Sequence, residues 1–295
     1  MSDNAAIFDR DLLVLRRARA QRLGAEPFLL DHVASDLAER LSVVLRPFDV
    51  AADIDTPGDV VRKSLDERKL ASHIIAAGVA SHDGTEIVTD ADGKPFAEGS
   101  LNLAVSALGL HFVNDLPGTL IQVRRALKPD GLFLCALLGG DTLTELRQSF
   151  ATAESEIEGG ISPHVAPFAD LRDLGALLQR AGFALPVTDL DRLVVRYPDA
   201  FRLMHDLRRM GATNVLAERR RKPMRRATLL RMAEIYRERF ADPDGRLRAT
   251  FDIVWLSGWA PHESQQQPLK PGSAKMRLAD ALKTVEIPAG DKAGR

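Results

Sequence analysis

The chain has 295 residues, of which 45% are hydrophobic and 27% charged, with a formal net charge of -1. This length and mixture can bury a sizeable core, as one large domain or a domain with an appendage. Near neutrality excludes a global field that recruits nucleic acid or anionic lipid, so any such binding needs a local patch.

The single cysteine, Cys135, lies in the apolar run GLFLCALL. It reads as a buried structural thiol in a reducing compartment, and one cysteine excludes a disulfide framework or a cysteine zinc site. No apolar run approaches the ~20 residues of a membrane span. Asp3, Asp9 and Asp11 interrupt the N-terminus before the apolar core of an export signal develops. The expected location is cytoplasmic, with at most peripheral membrane association.

In chain order, residues 1–46 form an N-terminal helical extension. Phe8–Leu23 mixes Leu12, Leu13 and Leu15 with Arg16, Arg17, Arg19 and Arg22, and reads as a helix with a basic outer face. No aromatics interleave those arginines, so an RNA-binding arm is disfavoured. A second helix carries Leu29, Val33, Leu37 and Leu41 at i, i+4 spacing, and Pro47 marks its limit.

The main domain spans 47–261. FDVAADI (Phe48–Ile54) is expected as the first parallel strand, Thr56-Pro57-Gly58 as a turn, and Asp59–Arg68 as a helix. Ser72–Ala77 and Glu86–Asp90 follow as strands. Leu101–Ser106 and Leu132–Leu138 are two apolar runs joined by a helix ending near Leu127 and a Lys-Pro-Asp-Gly turn, which implies a right-handed βαβ unit. The fold class is therefore α/β, a doubly wound sheet, and ligands of such sheets sit beyond the carboxyl ends of the strands. Ser106–Asn114 and Gly139–Asp141 should rim the cleft. Asp141–Glu158 and Phe168–Ala181 read as helices, Asp141 or Thr142 capping the first, whose N-terminus would suit an anionic group. Phe183–Arg196 and Ala249–Trp259 read as a closing antiparallel pair, with a helical insertion at about 198–240 between them. The run Arg219–Arg226 is a solvated loop and helix start, or a docking site for an acidic protein. Residues 262–295 form a polar tail.

Several words in this order resemble one family. They are LGLHFVNDLP (Leu108–Pro117), LKPDGLF (Leu127–Phe133), GGDTLTELRQSF (Gly139–Phe150), GGISPHVAPF (Gly159–Phe168), DLGALLQRAGF (Asp173–Phe183), YRERF (Tyr236–Phe240) and GW-x-x-HESQ from Gly258 to Gln265. The chain is similar to the class I S-adenosylmethionine (SAM)-dependent methyltransferases. In particular it resembles the branch that includes the respiratory complex I assembly factor described as a protein-arginine hydroxylase. The resemblance implies a seven-stranded Rossmann-like sheet and SAM as nominal cofactor. It also implies a protein client, possibly a complex I subunit, and no nucleic acid. The chemistry implied is methyl transfer or arginine hydroxylation.

By the same resemblance the cofactor positions are Asp53, Asp55, Gly58, Asp90, Ala91, Ala107 and Leu108. The loop departs from the family pattern: Asp55, Pro57 and Asp59 stand where glycines allow close backbone approach. Two like charges ~4 Å apart at an effective dielectric of ~20 repel by about 4 kcal/mol, so these acids would oppose the cofactor's carboxylate. Ile74-Ile75-Ala76-Ala77 offers no acid for the ribose hydroxyls, and Asn102 replaces the acid that commonly opens strand four. The bland alternative for Asp90 and Asp92 is a solvated turn.

His111, Asp141 and His164 are the candidate substrate-side residues. Two His and one carboxylate could also serve non-haem iron, but no local ligand spacing supports a metal and none is assigned. Two rival readings stay open: a pseudoenzyme acting as assembly scaffold, and a small-molecule methyltransferase acting on acyl-carrier-bound malonyl groups. The second leaves the SPH and HESQ words unexplained.

Overall fold

The computed structural model describes residues 6–82, 85–265, 276 and 278–285. The chain divides into two compact units, Met1–Pro261 and His262–Arg295. In the second, the described residues include the short helix α9 (Leu278–Leu282) and a turn in which Ser264 Oγ lies 2.6 Å from His262 Nδ1.

The first unit is built on a seven-stranded sheet in the order β3-β2-β1-β4-β5-β7-β6. β1 (Phe48–Ile54), β2 (Ala71–His82), β4 (Leu101–Ala107) and β5 (Leu127–Gly139) run parallel. β6 (Ala184–Tyr197) and β7 (Leu247–Trp259) form the antiparallel pair against β5. β5 shows why such strands read as continuous apolar runs: Leu132, Leu134, Ala136 and Leu138 enter the core on one face, while Phe133, Cys135 and Leu137 enter it on the other.

The doubly wound sheet has one antiparallel strand at its β3 edge. β3 (Thr85–Asp90) runs antiparallel to β2. The two strands are joined across residues 83–84, and a parallel return would need a crossover of a dozen residues or more. β2 therefore continues past the tip of β1, where the expected strand stopped at Ala77.

Helices cover both faces. α2 (Phe28–Ser42), α3 (Val60–Glu67), α5 (Thr144–Glu158), α7 (Ala200–Arg209) and α8 (Arg226–Phe240) contribute to one core. α4 (Leu116–Ala126) and α6 (Leu171–Arg180) contribute to the other. Local chemistry starts several of them: the carboxylates of Asp9, Asp115, Asp170 and Asp199 each accept a first-turn N–H. α5 begins later than expected and neither Asp141 nor Thr142 caps it. Leu143 occupies the cap position in the left-handed region at φ 53°. The Thr142 hydroxyl instead donates to the Gly139 carbonyl at 2.7 Å and accepts from the Asp252 amide at 3.0 Å.

α1 (Arg10–Arg22) is the largest surprise. Its arginines are not all on a solvated outer face: Arg22 is exposed, but Arg10 and Arg17, two turns apart on one side, point down onto the tip of β1.

Candidate functional site

The tip of β1 is held by ion pairs that span the chain. Asp53 is buried, and Arg62 of α3 reaches it at 2.8 Å while also donating to the Gly58 carbonyl at 2.9 Å. Burial pushes the Asp53 carboxyl up against the opposing pull of Thr56 and Arg62. Asp55 takes φ 54°, a left-handed conformation that side chains oppose. Its carboxylate lies 3.3 Å from Arg10 and 3.4 Å from Arg17. Arg10 also donates to the Val79 carbonyl at 3.0 Å and approaches Glu86 at 3.9 Å. Glu86 in turn accepts the amides of Asn114 and Asp115 at 2.7 and 3.0 Å. The sequence-level picture of Asp55 as a bare charge facing a ligand is thereby corrected, since α1 supplies two counter-charges.

The gap between the tips of β1 and β4 is closed. The Ala107 amide donates to the Thr56 hydroxyl at 2.9 Å, while on the far side of β4 the Leu108 amide donates to the Ala136 carbonyl of β5 at 2.8 Å. Gly109 packs so tightly that a Cβ there would stand 2.2 Å from the Asp55 carbonyl oxygen. Asp90 is spent on its own turn, accepting the amides of Asp92 and Lys94 at 3.0 and 2.8 Å, with Ala91 exposed inside that turn. Ala76 and Ala77 pair beside Asp53 and Ile54, where a ribose-binding acid would be needed. The end of β2 and the Asp90 turn therefore do not offer the polar contacts that the nucleoside of SAM would need.

Two cavities open beyond the carboxyl ends of the strands. The larger, about 580 Å³, lies between α1, α2 and the β1 loop, with Arg17, Gly58, Leu108 and His111 in its wall. His111 brings two ring nitrogens that are shielded from solvent and have no hydrogen-bond partner. Burial and the neighbouring Arg17 hold its pKa down to about 3, so the ring is neutral. The smaller cavity, about 260 Å³, shares Leu29, Phe112, Leu138 and Ala212 with the first and has His164 in its wall.

His164 is part of a built cluster. Its Nε2 lies 2.9 Å from the carboxylate of Glu154, its ring stacks on Phe150 at 4.1 Å, and Ser162 gives Glu154 both its amide and its hydroxyl at 2.6 Å. Burial alone would raise the Glu154 carboxyl, but the hydrogen bonds from Ser162 and His164 outweigh it and hold it below the usual range. A carboxylate fixing one ring nitrogen leaves the other as the acceptor, the arrangement of a histidine positioned to take a proton.

Asp141 is elsewhere. It pairs with Arg192 at 2.7 Å beside buried Asp252 and lies outside both cavity walls. The expected anion site at Gly139–Thr142 is also occupied by the protein itself. The amides of Gly140, Asp141, Thr142 and Leu143 are bonded to Ala169, Asp252, Gly139 and Thr250. His111, Asp141 and His164 are not brought together as a ligand set, and among the described residues no three His, Cys, Asp or Glu side chains cluster. The basic run is partly internal: Arg219 pairs with Asp9 at 3.0 Å and Arg220 with Glu158.

Sequence reasoning missed Arg10, Arg17, Arg62 and Glu154. The i, i+7 spacing of Arg10 and Arg17 was a readable sign of a common face. Nothing local pairs Glu154 with His164 across the GGISP loop.

The sheet order and the cleft at its carboxyl edge define a class I methyltransferase-fold protein. Residues 60–135 match the family model described as a methyltransferase domain. A solved structure from Bacillus halodurans C-125, described as a methyltransferase, superposes with a TM-score of 0.51 at 14% identity, covering 77% of this chain and 100% of that one, a likeness of fold alone.

Sequence similarity is more specific. The mitochondrial arginine-hydroxylase NDUFAF5 of Mus musculus is 38% identical over 302 residues, covering 97% of this chain and 87% of its own. The Homo sapiens protein of that name is 40% identical over 300 residues, covering 97% and 86%. A malonyl-[acyl-carrier protein] O-methyltransferase of Laribacter hongkongensis is 39% identical over 186 residues, covering 63% of this chain and 60% of that one. The chain belongs to the family of the arginine-hydroxylase NDUFAF5. Those relatives are mitochondrial by name, and that finding overturns the cytoplasmic location expected from the sequence.

Proposed function

We propose that the chain modifies an arginine of a protein client by hydroxylation, the client being a respiratory complex I subunit during assembly. The observation that carries this reading is identity of 38–40% with named arginine hydroxylases over 97% of the chain. The larger cavity at the carboxyl edge of the sheet supports it by giving a side chain somewhere to enter. Within it, neutral His111 offers one donor and one acceptor to whatever enters. SAM remains the family's nominal cofactor, and the closed β1–β4 gap supports a chemistry other than methyl transfer.

The test is to co-express the chain with individual complex I subunits and analyse their arginines by mass spectrometry. A gain of one oxygen atom is expected. A gain of one methylene group would mean methyl transfer, and a stable complex with unmodified arginine would mean a scaffold.

A further inference from the structure

The smaller cavity has a composition that the arginine reading does not use. Its interior is apolar, with Leu143, Phe150, Phe168 and Phe251 in the wall. Its polar lining groups are Arg16, His164, Arg208, Thr213 and Asn214, and no carboxylate is among them. Two of these five are already partnered: Asn214 donates to the Pro163 carbonyl at 2.7 Å and accepts from the Leu216 amide at 3.0 Å, and His164 faces Glu154. The Thr213 hydroxyl is shielded from solvent and has no partner.

The two guanidinium groups are different. Neither Arg16 nor Arg208 makes a hydrogen bond or ion pair through its side chain among the described residues; Arg10, Arg17, Arg209 and Arg219 are paired, and Arg19 and Arg22, which also lack a partner, do not line the cavity. Arg16 is half-buried and its pKa is pulled down, first by burial and then by Arg19, Arg219 and Arg208, with Asp9 the one group opposing them. Asp9 is itself 3.0 Å from Arg219. The shielded Thr213 hydroxyl and the half-buried Arg16 are the groups that an acceptor from outside would satisfy. Arg208 is exposed, so the cations mark the open side and the phenylalanines the closed one.

We propose that this cavity is a binding site for a monocarboxylate with an apolar tail, its head received by Arg16, Arg208 and the Thr213 hydroxyl and its tail by Phe150, Phe168 and Phe251. A guanidinium is excluded from it by like charge, so the site is separate from the place a client arginine would occupy. The volume of about 260 Å³ restricts the tail to a short or medium chain, since drug-sized ligands fill roughly 300–1,000 Å³.

The experiment is titration calorimetry of the full chain at low ionic strength with sodium octanoate, beside octanol, octylamine and acetate. Octanoate should bind at least about tenfold more tightly than any of the three, and added salt should weaken it. Arg208→Gln should weaken octanoate about tenfold, as expected for losing a hydrogen bond to a charged group, and leave octanol unchanged. Arg208 is exposed, so this variant should fold; Arg16→Gln, checked by its melting temperature, should act in the same direction. Equal binding of octanol and octanoate, octanoate binding unaltered by Arg208→Gln, or no heat at millimolar octanoate would each overturn the proposal. Binding of acetyl-Leu-Asp-amide where octanoate fails would overturn it in favour of an acidic peptide.

Discussion

Arg10 and Asp55 meet at 3.3 Å, so that the first turn of the first helix closes over the tip of the first strand. Arg17 joins the same carboxylate from two turns further along. The loop that would cradle a cofactor is thus neutralised and covered by the chain's own N-terminal helix.

Removing both partners should leave Asp55 as a buried, unpaired charge. Arg10→Gln with Arg17→Gln is expected to cost about 3 kcal/mol, the range for breaking a buried pair from one side. Adding Asp55→Asn should return most of it. Urea unfolding of the double and triple variants reads both values, and a triple variant no better than the double would refute the pairing.

The same closure predicts the response to cofactor. Calorimetry with SAM and with S-adenosylhomocysteine should give no binding at millimolar concentration. Saturable binding in the micromolar range would show that α1 and the β1 loop part from Leu108 and Gly109.

Gly109 offers a purely steric check. A Cβ at this position would lie 2.2 Å from the Asp55 carbonyl oxygen and 2.7 Å from its carbon, both backbone atoms that cannot swing aside. Gly109→Ala should therefore destabilise by about 3 kcal/mol, at the upper end of overpacking costs. Gly58→Ala meets no atom and is strained only by its φ of 76°, so it should cost less.

His111 should make the fold acid-sensitive. Its folded pKa is about 3 against an ordinary 6.5, so between those values the unfolded chain binds a proton that the folded chain refuses. The stability this gives is complete above about pH 6.5 and is lost as pH falls toward 3. His111→Phe should flatten the melting temperature between pH 6.5 and 4 relative to the parent, provided that the variant folds; an unchanged slope would mean the ring is solvated.

Glu154 should fasten the loop that carries His164. Glu154→Gln cannot hold the Ser162 amide and hydroxyl and His164 Nε2 together, and should lose about 1–3 kcal/mol. Limited proteolysis at Gly159-Gly160 should accelerate in the variant.

Much of the sheet was legible because apolar runs of strand length report burial without ambiguity. FDVAADI is β1 from end to end, and the βαβ unit from Leu101 to Gly139 is present, although β5 starts at Leu127 and takes in the Lys-Pro-Asp-Gly run expected as a turn. The antiparallel turn of β3 was less legible, since strand periodicity carries no sign of direction. The family words were also readable, and they led to the correct relatives while saying nothing of which charges meet.

What the sequence alone determined was the alternation of apolar runs and helices, the presence of Asp55, Pro57 and Asp59 at the glycine positions of the β1 loop, and the lack of an acid at the end of β2. These are properties of neighbouring residues, fixed by local sterics and burial. Only the tertiary structure decided that the Asp55 carboxylate is paired with Arg10 and Arg17, that Asp141 faces Arg192 at the sheet edge, and that His164 leans on Glu154. Those pairings join residues that are distant in the chain, and coulombic energy depends on separation in space, which the order of residues does not record.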